Sequence, residues 1–256
     1  MNQKGGVGKT QTVGNLAHAF AGTGQRVLMI DNDPQGNLGR AFLGGSVEQA
    51  TLADVLDRRH PATLADAVIP TSVDGLAIVQ SGGPGLQAVQ DGLIGQPGAD
   101  RSLAVALRDV LDDWDQILID CRPATDLITR CALMAADQAI IVLQPEQGAL
   151  DGWAETQNAI NQLAVYLDKT LPVRGVIVNM VDLRRKDHAE NLDYIRATTE
   201  DLGVPVLGDP VPMSADISRL AAVGMGIDQL AAPSARLRNV AANFAMIARS
   251  LQEVPA

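Results

Sequence analysis

The sequence predicts an α/β fold: a mostly parallel central sheet flanked by helices on both faces. Three observations carry this. Short β-rich runs alternate with helical patterns along the 256 residues, which is how strands return in parallel through helical crossovers. Most of those runs are apolar on both faces, as strands buried between two helical layers must be. A glycine-rich turn, KGGVGKT, leads directly into a helical stripe near the start. The length suits one core better than two, so residues 1–256 are expected to form a single domain.

In chain order, Val13, Leu16, Ala17 and Phe20 recur at helical spacing after the glycine-rich turn, and Gly22-Thr23-Gly24 stops that helix. Strands are expected at 26–31 (RVLMID), 76–80 (LAIVQ), 116–120 (QILID), 138–143 (QAIIVL), 175–179 (GVIVN) and 205–207. The Gly/Pro-rich stretch 81–98 reads as an irregular surface excursion. Leu192, Ile195, Thr199 and Leu202 draw a second helical stripe, and Leu237, Val240, Phe244, Ile247 and Leu251 a third. A glycine-rich turn of this kind normally follows a central strand, yet only Met1-Asn2-Gln3 precede Lys4. That first strand is therefore expected to be missing from this chain.

Composition narrows the functional classes. No apolar run approaches the roughly 18 residues needed to cross a bilayer, and no secretory signal is visible. The expectation is a soluble, cytoplasmic protein with no membrane partner. Cys121 and Cys131 fit neither a metal-ligand spacing nor a disulfide framework, and His18, His60 and His188 are far apart. A formal charge of −10 means that the molecule as a whole does not attract nucleic acid. Any DNA contact must come from a local patch.

The glycine-rich turn carries the clearest chemistry. Backbone N–H groups of such a turn, followed by a helix N-terminus, make an anion site. Gly5, Gly6 and Gly8 allow close approach, Lys9 can reach the β/γ-phosphates of a nucleotide, and the Thr10 hydroxyl can ligate Mg²⁺. Gln3 stands where the strict phosphate-loop pattern has its first glycine, and a second lysine, Lys4, comes early. Asp31, Asp33 and Asp120 lie at or just after the ends of apolar strands, where a carboxylate can face the metal or the γ-phosphate, or cap a turn. Asn179 ends another strand. It can offer donor and acceptor to a base edge or act as a turn residue.

KGGVGKT resembles the deviant phosphate loop of the ParA/MinD class of ATPases, and it does not stand alone. IDNDPQGN, ILIDCRP and VPMSADISRLAAVG are similar to further boxes of that class, with TLADVL and QPEQGALDG adding to the match. The spacing is most similar to ParA/Soj-type partition ATPases. The resemblance implies a P-loop NTPase of Rossmann-like three-layer architecture that binds ATP/ADP with Mg²⁺. It implies phosphate contacts from Gly5, Gly6, Val7, Gly8, Lys9, Thr10 and Gln11, and adenine-side contacts from Pro212, Met213 and Asn179. Thr10, Asp31 and Asp120 would serve the metal, and Asp33 would orient the attacking water. Lys4 would reach across an ATP-dependent homodimer to the partner's nucleotide; a solvated loop lysine is the plainer alternative. Arg122 departs from the family's usual proline, and Gln11 from a common threonine.

Among the family's functions, the leading expectation is partition of a chromosome or plasmid. An ATP dimer would bind nonspecific DNA on the nucleoid, and a ParB-like centromere-binding protein would stimulate slow hydrolysis. Arg184, Arg185, Lys186 and Arg219 are the candidate DNA contacts, although a charge run is also an ordinary solvated face. A MinD-like membrane cycle needs a basic amphipathic tail, and ARSLQEVPA is a poor one. Positioning of a protein cargo is a further alternative, whereas a nitrogenase-type iron protein would need cluster cysteines placed elsewhere than Cys121.

Overall fold

A computed structural model of the protein describes residues 5–45, 48–59 and 62–252. Strands β1 (Val27–Asn32), β2 (Ile69–Pro70), β3 (Leu76–Val79) and β4 (Gln116–Cys121) form a sheet in the order β2-β3-β1-β4, and β5 (Ala139–Leu143) pairs with β6 (Val173–Val178). All these pairings are parallel except β2 with β3. The helices are α1 (Lys9–Ala21), α2 (Asn37–Leu43), α3 (Leu52–Leu56), α4 (Pro84–Leu93), α5 (Ser102–Leu107), α6 (Leu127–Ala135), α7 (Ala149–Leu167), α8 (Lys186–Asp201), α9 (Ala215–Ala222) and α10 (Ala235–Gln252).

Alternation along each strand sorts side chains onto two faces. Val27 and Met29 of β1, Leu118 of β4, Ile140 of β5 and Ile177 of β6 share one apolar cluster with Phe20 of α1 and Phe244 of α10. Leu28 and Ile30 point the other way, toward Leu52, Leu86, Leu103 and Ile128 of α3 to α6. Ile141, Leu143, Val176 and Val178 meet Trp153 of α7 and Ile195 of α8. The two sheets thus form one central layer between two helical ones, as the sequence predicts. β1 is buried at every position, whereas β4 beside it is only half-buried at all but Asp120. Among the described residues β4 pairs with β1 alone. The expectation of a missing strand ahead of the opening turn concerns residues that lie outside the described ones.

Three expectations need correction. The stretch 81–98 is not irregular: it holds α4, started by Pro84 and buried through Leu86, Val89 and Leu93. Glycines on both sides of that short stripe, at 82, 83, 95 and 98, mask it in the sequence. Leu202 lies beyond α8 and is 55% exposed. Residues 205–207 make a single parallel bridge, Val206 to Val176, rather than a strand.

Candidate active site

The glycine-rich turn sits where the ends of β4 and β6 converge. Gly6 and Gly8 have φ of 76° and 85°, a left-handed backbone that glycine adopts without strain. Gly8 immediately precedes α1, and its carbonyl accepts the Thr12 N–H at 2.9 Å. A Cβ on Gly8 would collide with the Asn179 side-chain amide. Asn179 is 1% exposed and donates from Nδ2 to the Val7 carbonyl at 3.1 Å. The sequence offers a base contact or a turn role for it; through this bond the amide pins the turn to the end of β6. Its Oδ1 is buried with no hydrogen-bond partner among the described residues.

Lys9 opens α1 and is 9% exposed. Burial lowers its pKa, opposed by the charges of Asp120, Cys121 and Asp33. The Thr10 side chain hydrogen-bonds Asp120. Asp31 and Asp120 occupy paired register positions on β1 and β4, so both project from the sheet face that carries α1. Burial pushes Asp31 up to about 6 even though its oxygens accept the Gly39 N–H at 2.8 Å and the Asp33 N–H at 3.3 Å. Burial pushes Asp120 up to about 7, against the Thr10 hydroxyl and Lys9 and with Asp31 adding to the rise. Asp33 is half-buried and tied into a turn through the Gln35 N–H at 2.9 Å.

Among the described residues, the carboxylates Asp120 and Asp33 act on buried Lys9, and Asp120 also feels Asp31. Asp120 Oδ1 is buried without a partner among the described residues, and Thr10 beside it adds a hydroxyl. That donor set suits a hard divalent cation. Asp31 has both oxygens engaged by backbone, so of the two paired carboxyls on β1 and β4 it is Asp120 that keeps a buried open oxygen. Among the described residues no group of three His, Cys, Asp or Glu side chains could enclose a metal. A small cation here would keep waters and anionic substrate oxygens in its shell, as Mg²⁺ does.

The remaining predicted residues are placed as follows. Pro212 bridges to Val181, and the Met213 N–H reaches the Val181 carbonyl at 2.9 Å. Met180, next to Asn179, lies within contact distance of a Cβ built on Gly8 and has φ of 56°; nothing in the sequence marks it. Arg184 to Lys186 follow Val181 and Arg219 lies on α9 after Met213, so this bridged pair of segments brings both basic elements to one end of the sheet. Each cation has a carboxylate: Arg184 to Asp182 at 2.8 Å, Arg185 to Asp187 at 2.6 Å, Lys186 to Glu190 at 3.4 Å and Arg219 to Asp216 at 3.2 Å. Exposed pairs of this kind contribute about 0–1 kcal/mol, so a phosphate can displace the carboxylate. Lys4 lies outside the described residues. The sequence does not single out Asn32, Gln87, Gln90 and Asp126, whose hydrogen bonds fasten the segment after Asp120; Asp126 carries an N-cap signal ahead of Leu127-Ile128, and the other three have no local one.

Comparison with known proteins agrees with the geometry. A family model described as an AAA domain matches residues 1–173. The chain is 33% identical to the chromosome partitioning protein ParA of Caulobacter vibrioides over 87% of this chain and 82% of that protein. Its fold is similar to apo McdA of "Cyanthece", with a TM-score of 0.84 at 24% identity, covering 98% of this chain and 97% of that one. It is also similar to a cobyrinic acid a,c-diamide synthase of Mycobacterium smegmatis solved with bound ADP and magnesium, with a TM-score of 0.75 at 28% identity over 87% and 89% of the two chains. No helix among the described residues is long and apolar enough to cross a membrane.

Proposed function

Since the chain belongs to the ParA family of P-loop ATPases, we propose that it is an ATP-driven switch which dimerises on ATP, binds DNA without sequence preference and partitions a chromosome or plasmid. The observation that carries this reading is the convergence of a pinned glycine turn, buried Lys9, and Thr10 bonded to Asp120 whose other oxygen is open. Such a site neutralises and orients a triphosphate, which is most of what phosphoryl transfer to water requires. The turn's backbone N–H groups and Lys9 hold the β/γ-phosphates, with Val7 and Gln11 beside them. Thr10 and Asp120, with Asp31 near them, would hold Mg²⁺, which would supply charge neutralisation at the phosphates. Asp31 braces the turn leading into α2 from behind. Asp33 orients the attacking water.

In this reading Lys4 serves the partner subunit's nucleotide, so that ATP holds two copies together. Pro212 and Met213 flank the adenine, and Asn179 has one oxygen left for its edge. Dimerisation doubles a basic patch that is too weak alone on a protein of net charge −10. A ParB-like centromere-binding protein then stimulates hydrolysis and release from the nucleoid; a protein cargo in the centromere's place is the second outcome to watch for. Phosphate release and sedimentation velocity, each with ATP, ADP and no nucleotide, test the core of it. ATP-specific dimers and Mg²⁺-dependent phosphate release are expected. A chain that stays monomeric with ATP and releases no phosphate would overturn the reading.

A further inference from the structure

The segment leaving β4 after Asp120 is tied down at several points that the nucleotide chemistry above does not use. Arg122 is half-buried, and its Nη1 donates to Asp126 Oδ2 at 2.8 Å and to Gln87 Oε1 at 3.1 Å. The other Asp126 oxygen accepts the Thr129 N–H at 3.1 Å, capping α6. Gln90, one turn along α4 from Gln87, accepts the Ile128 N–H at 3.4 Å. The Ile128 carbonyl in turn accepts from buried Asn32 Nδ2 at 3.0 Å. Asn32 stands between Asp31 and Asp33. One short loop is therefore fastened at its start to α4, at its end to α4 and β1, and across its middle by an ion pair.

We infer that Arg122 is a positioning residue for hydrolysis: with Asp126 it latches residues 122–129 so that Asp120 and Asp33 keep a fixed separation. The inference rests on the ATPase reading. The latch is poised to matter because each end of the loop lies one residue from one of those carboxylates, from Asp120 through Cys121 and from Asp33 through Asn32. Displacement by about 1 Å can cost on the order of 100-fold in rate. A proline at position 122 would offer no side-chain donor to either Asp126 or Gln87, so this latch belongs to the arginine. Neither Arg122 nor Asp126 needs to touch the nucleotide.

The test compares Arg122→Ala, Arg122→Lys, Asp126→Asn and the Arg122→Ala/Asp126→Asn double variant. Asparagine keeps the oxygen that caps α6 while losing the ion pair. In nucleotide-free protein, amide exchange over 124–129 should rise roughly tenfold in Arg122→Ala and in Asp126→Asn. Their kcat for ATP should fall about five- to tenfold with KM within twofold of wild type. The double variant should be no slower than either single one, because neighbours in one network are not additive, and Arg122→Lys should recover at least half the rate. Unchanged exchange, additive losses, or a rise in KM with kcat intact would overturn the latch. If the wild type itself releases no phosphate, the ATPase reading fails while the exchange measurement still decides whether the latch exists.

Discussion

Asp31 and Asp120 face each other in paired register at the carboxyl ends of β1 and β4, and the two carboxyls are stabilised very differently. Asp31 is held by two backbone N–H groups, while Asp120 keeps a buried oxygen without a partner among the described residues. A carboxyl raised to about 7 when folded and near 3.9 when unfolded binds more protons in the folded state between those values. Stability of the nucleotide- and metal-free protein should therefore fall as pH rises from about 4 to about 7. Asp31, raised to about 6, acts in the same direction. Asp120→Asn should melt higher than wild type at pH 8, by about 2–4 °C for each kcal/mol relieved, and show a shallower decline with pH. Mg²⁺ with ATP should reverse that ranking. Melting curves across pH check it; a wild type that gains stability from pH 5 to pH 8 would count against it.

The lysines and Asp33 should separate by phenotype. Lys9→Ala removes a charged donor worth about 1.5–3 kcal/mol, so nucleotide affinity should drop roughly 10- to 150-fold. Lys4→Ala should keep most of the monomer's ATP affinity yet fail to dimerise. Asp33→Ala should bind ATP and dimerise but hydrolyse on the order of 100-fold more slowly. Equilibrium binding, sedimentation and phosphate release distinguish the three, and an ATP-dependent Lys4→Ala dimer would refute the cross-subunit role.

The turn depends on Asn179 as much as on its glycines. Asn179→Ala removes the bond to the Val7 carbonyl and should weaken nucleotide binding roughly tenfold. Gly8→Ala should do worse, since a side chain there meets both a left-handed backbone and the Asn179 amide. Adding Asn179→Ala to Gly8→Ala relieves the collision but not the backbone strain, so it should restore little. Isothermal titration with ADP reads all three.

Much of this was legible because its signals are local. Glycines, Lys9 and Thr10 lie in one heptapeptide, and the carboxylates close apolar strands that announce themselves. What escaped depends on distant pairing. Asn179 meets Val7 across 172 residues, and Arg122 meets Gln87 across 35, distances over which no periodicity reports. Helix α4 was hidden because the glycines on either side of it resemble a loop. The ion pairs of the basic residues were not legible either, because Asp182, Asp187, Glu190 and Asp216 look like background acid until the fold pairs them.

DNA binding should respond to the basic residues through salt. Each phosphate neutralised adds about −0.9 to the slope of log affinity against log salt, so Arg219→Ala or Arg185→Ala should flatten a dimer's slope by roughly two units. Either change should weaken all sequences alike and spare dimerisation. Salt titrations of both variants check it, and an unaltered slope would return these arginines to the solvated surface.

The decisive measurement is the affinity of Asp33→Ala protein for two unrelated duplexes with Mg²⁺ and ATP, then with Mg²⁺ and ADP. An ATP-driven DNA switch predicts equal binding to both duplexes with ATP and at least about tenfold weaker binding with ADP, a difference of about 1.4 kcal/mol. Binding that ignores the nucleotide, or no DNA binding with ATP, would contradict it.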